Sequence, residues 1–272
     1  MIHVVHHADY VAPAPARSTY RWNKNGLIRD LLLARGDAVA WHEPGPTPRE
    51  WLEAVHDPDY VAEVIEARVP PLKERRIGFP VSPAVARRAA IVPDGTWLAA
   101  MLALRHGFAA NTAGGSHHAL ADTGAGYCVF NDLAVAAVRL IETQAVERIL
   151  VVDCDVHQGD GTAALLAGRP DIATYSIHAE KNFPARKARS TLDVALPDGV
   201  DDAGYLATLE GLVRRERLIA GLAIARGIPL ASTVGGGYGD DALEIAERHV
   251  TAILTLGAAF LENWGTATAA KV

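Results

Sequence analysis

The sequence predicts an α/β fold built on a mostly parallel, doubly wound sheet, and three observations predict it. The stretch "LVVDCDVHQGDG" opens with an apolar run, Ile149 to Val152, of the kind that forms a buried parallel strand, and ends in Asp153, Asp155, His157 and Asp160. Short apolar runs alternate with helical periodicities along the whole chain, the pattern of βα units. The loops richest in chemistry, "DCDVHQGDG", "SIHAEKNFP" and "GGGYGDD", each follow a predicted strand. In doubly wound sheets, ligands bind outside the carboxyl ends of the strands.

The elements follow in order. Ile2 to Val5 reads as a first strand. Asn23 to Arg35 has helical spacing and stops at Gly36, and Asp37 to Trp41 reads as a short strand. "GPTPRE" is a helix start, with Thr47 as N-cap and Pro48 at the first helical position. "HDPDYVAEVIEA" opens another helix near Pro58, and Arg68 to Pro83 reads as loop. Ala84 to Ala109 is a long helical region interrupted near Pro93 to Gly95, followed by a glycine-rich loop, "NTAGGSHHALADTGAGYCVFND". Leu133 to Thr143 is a helix, the opening strand follows, and Gly161 to Leu166 is a helix. Ile172 to Ile177 and Asp193 to Leu196 are strands. Asp202 to Arg226 is helical throughout, Ile228 to Val234 is a strand and Ala242 to Asn263 is a closing helix.

The 272 residues suit one domain spanning 1–272, and a hydrophobic content of 50% supports a sizeable core. Lys plus Arg number 26 against 32 Asp plus Glu, a net charge of -6, which argues against nucleic-acid or general polyphosphate binding but leaves room for a small basic patch. Cys128 and Cys154 sit in apolar or glycine-rich motifs, which argues against a disulfide framework and fits a reducing cytoplasm. "MIHVVHHADY" lacks the pattern of a secretory leader, and no apolar run approaches the ~20 residues of a membrane span.

Asp155 and His157 are two apart on an extended segment and so point the same way, a carboxylate and an imidazole forming half of a zinc site. Asp153 shares that side but lies deeper, placed to orient a histidine or to bind a monovalent cation. The plainer alternative is that these carboxylates cap the next helix. His117 and His118 in "GGSHHAL" are poor joint ligands for one ion, because consecutive side chains diverge; they suit a general base and its electrostatic partner beside a metal. Their plainer alternative is a hydrogen-bonded polar loop, and His106 and His249 are assigned structural roles. Tyr238, after three glycines at a strand end, is placed to donate to a developing oxyanion. A dinucleotide loop competes there, but the spacing is not G-x-G-x-x-G.

Together these motifs resemble the zinc-dependent histone deacetylase superfamily, most closely its bacterial deacetylase and acetoin-utilisation-like branch. The resemblance runs through "GTWLAAMLALRHGFAANTAGGSHHA", "GYCVFNDLAVAA", "VVDCDVHQGDGTAAL", "YSIHAEKNFPARKARSTLDVALPDG" and "RGIPLASTVGGGYGDD". It implies a three-layer α/β/α arginase/deacetylase-like fold and hydrolysis of an acylated lysine or acylated small amine. It implies Asp155 and His157 as Zn2+ ligands, His117, His118 and Tyr238 as catalytic residues, and Asp153 and Ser176 as a K+ site. Gly126, Tyr127, Gly236 and Gly237 would line the substrate tunnel. Gln158, not a second histidine, follows His157, as in the bacterial branch. Acyl chain length and oligomeric state, a homo-oligomer included, are left open.

One departure from the resemblance changes the expectation. The family takes its third zinc ligand, an aspartate, from a strand-and-loop unit between the "LPDG" region and the last glycine-rich strand. Here "DGVDDAGYLATLEGLVRRERLIAGLAIARGIPL" crosses that interval with no strand, the join falling near Glu210 to Leu212. The sequence thus predicts a sheet one core strand short and zinc that is weakly bound or absent. Asp198, Asp201, Asp202 and Asp240 are the nearest substitutes. Three functions compete: a zinc deacylase, a non-catalytic or truncated relative acting at most as an acyl-lysine binding module, and a binuclear manganese ureohydrolase. The last needs an aspartate where Gly159 stands.

Overall fold

The computed structural model describes residues 1–12, 21–36, 38–197, 209–236 and 241–269. Its strands are β1 (Ile2–Val5), β2 (Val39–His42), β3 (Phe108–Asn111), β4 (Ile149–Asp153), β5 (Ile172–Ala179), β6 (Leu192–Leu196) and β7 (Leu230–Thr233). The helices are α1 (Lys24–Ala34), α2 (Arg49–Glu53), α3 (Pro58–Ile65), α4 (Pro71–Ile77), α5 (Pro83–His106), α6 (Asp132–Glu142), α7 (Asp160–Leu165), α8 (Leu209–Arg226) and α9 (Ala242–Ala269). Among the described residues, no helix is long and apolar enough to cross a membrane.

All strand pairs are parallel, as the alternation of strands and helices predicts. They form two sheets, one of four strands in the order β2-β1-β3-β7 and one of three in the order β4-β5-β6. In the larger sheet, Ile2, Val4, Phe108 and Ala110 pack against α1, α8 and α9, while Val5 and Ala109 pack against α5. In the smaller sheet, Ile149, Val151 and Ile172 pack against α6 and α7. Its other face carries Leu150 and Val152, which are 62% and 42% exposed. This is a three-layer arrangement whose second half is open on one side.

Four expectations need correction. Phe108 and Ala109 are not the end of a helix but belong to strand β3, which is paired on both sides. Gly107, at a φ of 87°, ends α5, and a Cβ there would lie 2.7 Å from the Trp264 ring. A strand flanked by helices on both faces can be as alanine-rich as a helix, so composition alone hid it. The expected loop from Arg68 to Pro83 contains α4, which has Pro71 in its first turn and left-handed Gly78 as C-cap. Helix α5 runs unbroken through Pro93. Thr47 does not cap the helix that follows it. Its Oγ1 accepts from Asp94 N at 3.0 Å, and Gly45 N donates to Asp94 Oδ2 at 2.8 Å, so this strap docks on α5 beside the proline. The expected helix from Asp202 is described from Leu209 onward, and its first residues lie outside the described residues.

Candidate active site

The site is built from loops at the carboxyl ends of β3, β4 and β7. The β3 loop, which carries the histidine pair, is held by α6. Buried Asp132 accepts from Thr96 Oγ1 at 2.6 Å, Ser116 N at 2.7 Å and Gly115 N at 3.1 Å. Asn131 caps α6 by accepting from Ala134 N, and its Nδ2 donates to Ala119 O at 3.2 Å. His56 Nδ1 donates to Leu120 O at 2.8 Å, and its Nε2 accepts from Asn131 N at 3.0 Å. One ring nitrogen donates and the other accepts, so the imidazole is neutral with a fixed tautomer. Burial holds its pKa down at about 4.

The β4 loop supplies the carboxylates. His117 Nδ1 donates to Asp153 Oδ2 at 2.6 Å, and His118 Nδ1 donates to Asp160 Oδ1 at 2.7 Å. Asp153 Oδ1 also accepts from Asp155 N at 3.0 Å. Asp155 Oδ1 accepts from His157 N at 2.8 Å and lies 3.0 Å from His157 Nδ1. The rings of His118 and His157 meet edge to face, 5.7 Å between centroids. The two adjacent histidines do not diverge as expected: their ring centroids are 4.0 Å apart. They are instead separated chemically, each Nδ1 being taken by a different carboxylate.

Electrostatics separate the pair further. Burial alone would lower His117, but the carboxylates of Asp153, Asp155 and Asp160 outweigh it and raise its pKa to about 9. Burial lowers His118, with the charge of His117 adding to the effect against the pull of Asp160. His118 Nε2 is buried with no hydrogen-bond partner among the described residues. Burial pushes Asp155 upward, but its bonds to His157 and the charge of His117 prevail and hold its carboxyl well below the usual range.

Glycines let these groups approach. A Cβ on Gly159 would lie 2.3 Å from Asp153 Oδ2, and one on Gly236, whose φ is 61°, would lie 2.1 Å from Asp155 Oδ2. Gly236 O also accepts from the ammonium of Lys24, which is 2% exposed. His117, Gly126, Tyr127 and Gly236 line one cleft. A Cβ on Gly126 would lie 2.5 Å from the His118 ring and 3.0 Å from that of Phe183, while the Tyr127 ring stacks on Phe79 at 6.1 Å. Asp153 and Ser176 are ladder partners. The Asp153 oxygens are engaged by His117 and Asp155 N, and Ser176 Oγ lies 3.1 Å from His178 Nδ1. Tyr238, Gly237, Asp198, Asp201, Asp202 and Asp240 lie outside the described residues. Both cysteines are free thiols.

Four contributors were not assigned from sequence: Asp160 as the partner of His118, Asp132, Lys24 and Phe183. Asp160 stands in the motif itself, but at a helix start it reads as a cap. Asp132 and Lys24 open α6 and α1 and Phe183 lies in the loop after β5, all distant in sequence, which spacing does not reveal.

The fold resembles that of acetylpolyamine aminohydrolase from Burkholderia pseudomallei, with a TM-score of 0.72 at 18% identity over 95% of this chain and 99% of that one. The histone deacetylase domain matches residues 17–216, and the chain belongs to that family. An uncharacterized protein of Picosynechococcus sp. is 40% identical over 285 residues, spanning 90% of this chain and 95% of the relative. That aligned length exceeds the 272 residues present here, so the relative carries stretches without counterpart in this chain. The acetoin utilization protein AcuC of Bacillus subtilis is 34% identical over 156 residues, covering 53% of this chain and 38% of AcuC.

Proposed function

We propose that residues 1–272 form a single deacetylase-like domain, an amidohydrolase for an acylated lysine or related amine, with its proton-transfer machinery built and its metal centre one ligand short. The carrying observation is the double pairing His117–Asp153 and His118–Asp160 beside Asp155 and His157. Asp155 and His157 are the residues that would hold zinc. A carboxylate and an imidazole side by side suit that ion in kind, and Gly236 keeps the space beside the Asp155 oxygen clear. When bound, zinc supplies Lewis-acid polarisation of the scissile carbonyl.

The remaining roles belong to the chain. His118, neutral and with no partner for Nε2 among the described residues, takes the proton of the attacking water and returns it to the departing amine. His117, held as a cation by Asp153, stabilises developing negative charge. Tyr238 donates to the oxyanion. Gly126, Tyr127, Gly236 and Gly237 flank the acyl group. Asp153 is a positioning residue, and a K+ role for it with Ser176 has only their ladder adjacency in support.

Ile149 N donates toward β5, so by alternation the backbone groups of Leu150 and Val152 face away from it, on an edge that no described strand pairs. The loss of a core strand beside β4 accounts for that edge, the divided sheet and the longer aligned relative. A second reading follows from the same edge: a non-catalytic relative that only binds acyl-lysine. A catalytic zinc normally has three protein ligands, so this chain is expected to hydrolyse an acetyl-lysine peptide poorly even with excess zinc. Restoring a strand with its aspartate between Glu210 and Leu212 should raise turnover at least about 100-fold. Equal activity in both chains would show that another residue supplies the ligand, and no activity in either would leave the binding module.

A further inference from the structure

We propose that the mouth of this cleft is a basic rim selecting an acyl-lysine carried on an acidic peptide segment; the acyl group rests on the function proposed above, the rim does not. Two segments flank the mouth. The first is the loop after β5, "EKNFPARKARS", residues 180–190, whose Phe183 ring meets His118 edge-on at 4.8 Å and His157 at 6.1 Å. The second is the end of α4. Gly126 N donates to Arg76 O at 3.2 Å and Tyr127 N to Ile77 O at 2.7 Å, and Gly126 itself abuts both His118 and Phe183. The two segments meet across Gly126.

Both are cationic in a chain whose net charge is -6. The loop after β5 places Lys181, Arg186 and Arg189 at the surface, and α4 places Arg75 and Arg76 there. Of the two acids in these segments, Glu74 is turned to the backbone, accepting from Val81 N at 2.7 Å, and only Glu180 stays exposed.

The loop is also fixed. Gln158 donates to Ala188 O at 3.0 Å and to Asp193 Oδ1 at 2.8 Å, while its Oε1 accepts from Ala188 N at 2.8 Å. Ser190 N donates to Asp193 Oδ2 at 2.9 Å, and Lys187 Nζ donates to Asn182 O and Pro184 O. Gln158 follows His157 directly, so the residue beside the candidate zinc ligand also clamps the rim.

Exposed cations on two segments that adjoin one opening raise the local concentration of anionic carriers and repel polycations. An acylated polyamine is a polycation, so this rim opposes it. A glutamate- or aspartate-rich segment flanking the acylated lysine matches the rim. A nucleic acid is the competing polyanion, and the acidic balance of the rest of the chain opposes it.

The test is fluorescence anisotropy on the full chain, a binding readout that needs no turnover. The probes are an acetyl-lysine peptide flanked by glutamates, the same flanked by lysines, an unacylated glutamate-flanked peptide, and a single-stranded oligonucleotide of equal charge. The glutamate-flanked acetyl peptide should bind about tenfold tighter than the lysine-flanked one at low salt, the gap closing to about twofold near 0.5 M salt. Arg186→Glu with Arg189→Glu should reverse the preference, and Arg75→Glu with Arg76→Glu should narrow it, both at unchanged melting temperature. Equal binding of the two acetyl peptides, a preference unmoved in both variants, or tighter binding of the oligonucleotide would overturn the proposal. Equal binding of acylated and unacylated acidic peptides would support the rim and refute the acyl-amine pocket.

Discussion

Strands β3 and β4 both end in the candidate site, and they are framed differently. Every residue of β3 is buried, with a paired strand on each side and a helix layer on each face. Among the described residues, strand β4 is paired only to β5, and it exposes Leu150 and Val152. The loops inherit the difference. The His117–His118 loop is tied down by Asp132, Asn131 and His56, whereas Asp155 and His157 bond to each other and to Asp153, with the rings of His118 and Phe183 against His157. The histidine pair follows a strand paired on both sides, and Asp155 and His157 follow a strand that, among the described residues, is paired on one.

The same charge placed on each strand breaks this comparison most sharply. Ala110→Lys in β3 would bury an unpaired ammonium and should cost about 4 kcal/mol or more, whereas Leu150→Lys in β4 should stay within about 0.5 kcal/mol. Urea denaturation of both variants checks this, and equal costs would mean that β4 is covered. Asp132→Ala comes next. It strands the donors of Thr96, Gly115 and Ser116 and should destabilise by about 3 kcal/mol on the same measurement.

A pH titration sharpens the contrast further. His56 has its folded pKa depressed to about 4 from 6.5, so its contribution is complete above pH 6.5 and is lost as pH falls through the window toward 4. The loss is of order 2 to 3 kcal/mol. His56→Gln should flatten the acid limb of stability against pH, and an unchanged limb would place the titrating group elsewhere.

Much of this was legible in the sequence because local pattern and global fold agree. The alternation of strands and helices gave parallel sheets, and "GGSHHAL" and "DCDVHQGDG" gave histidines and carboxylates that do meet. The rest was hidden for physical reasons. Strand β3 is too short and alanine-rich to signal its state, and α4 is a two-turn helix whose proline start resembles a loop. Phe183 and Lys24 reach the site from separate elements, so only the fold joins them to it, and Asp160, though inside the motif, reads as a helix cap. The fused segment stood out because the resemblance places a strand-sized unit there, and among the described residues one edge of β4 has no paired strand.

Zinc content tests the central claim most directly. Protein purified without added metal, then equilibrated with equimolar zinc and desalted, is measured by atomic emission beside the chain with the restored strand and aspartate. The account predicts well under one zinc per chain here and about one in the restored chain. About one zinc in both would contradict it, and would mean that Asp155 and His157 already have a third partner.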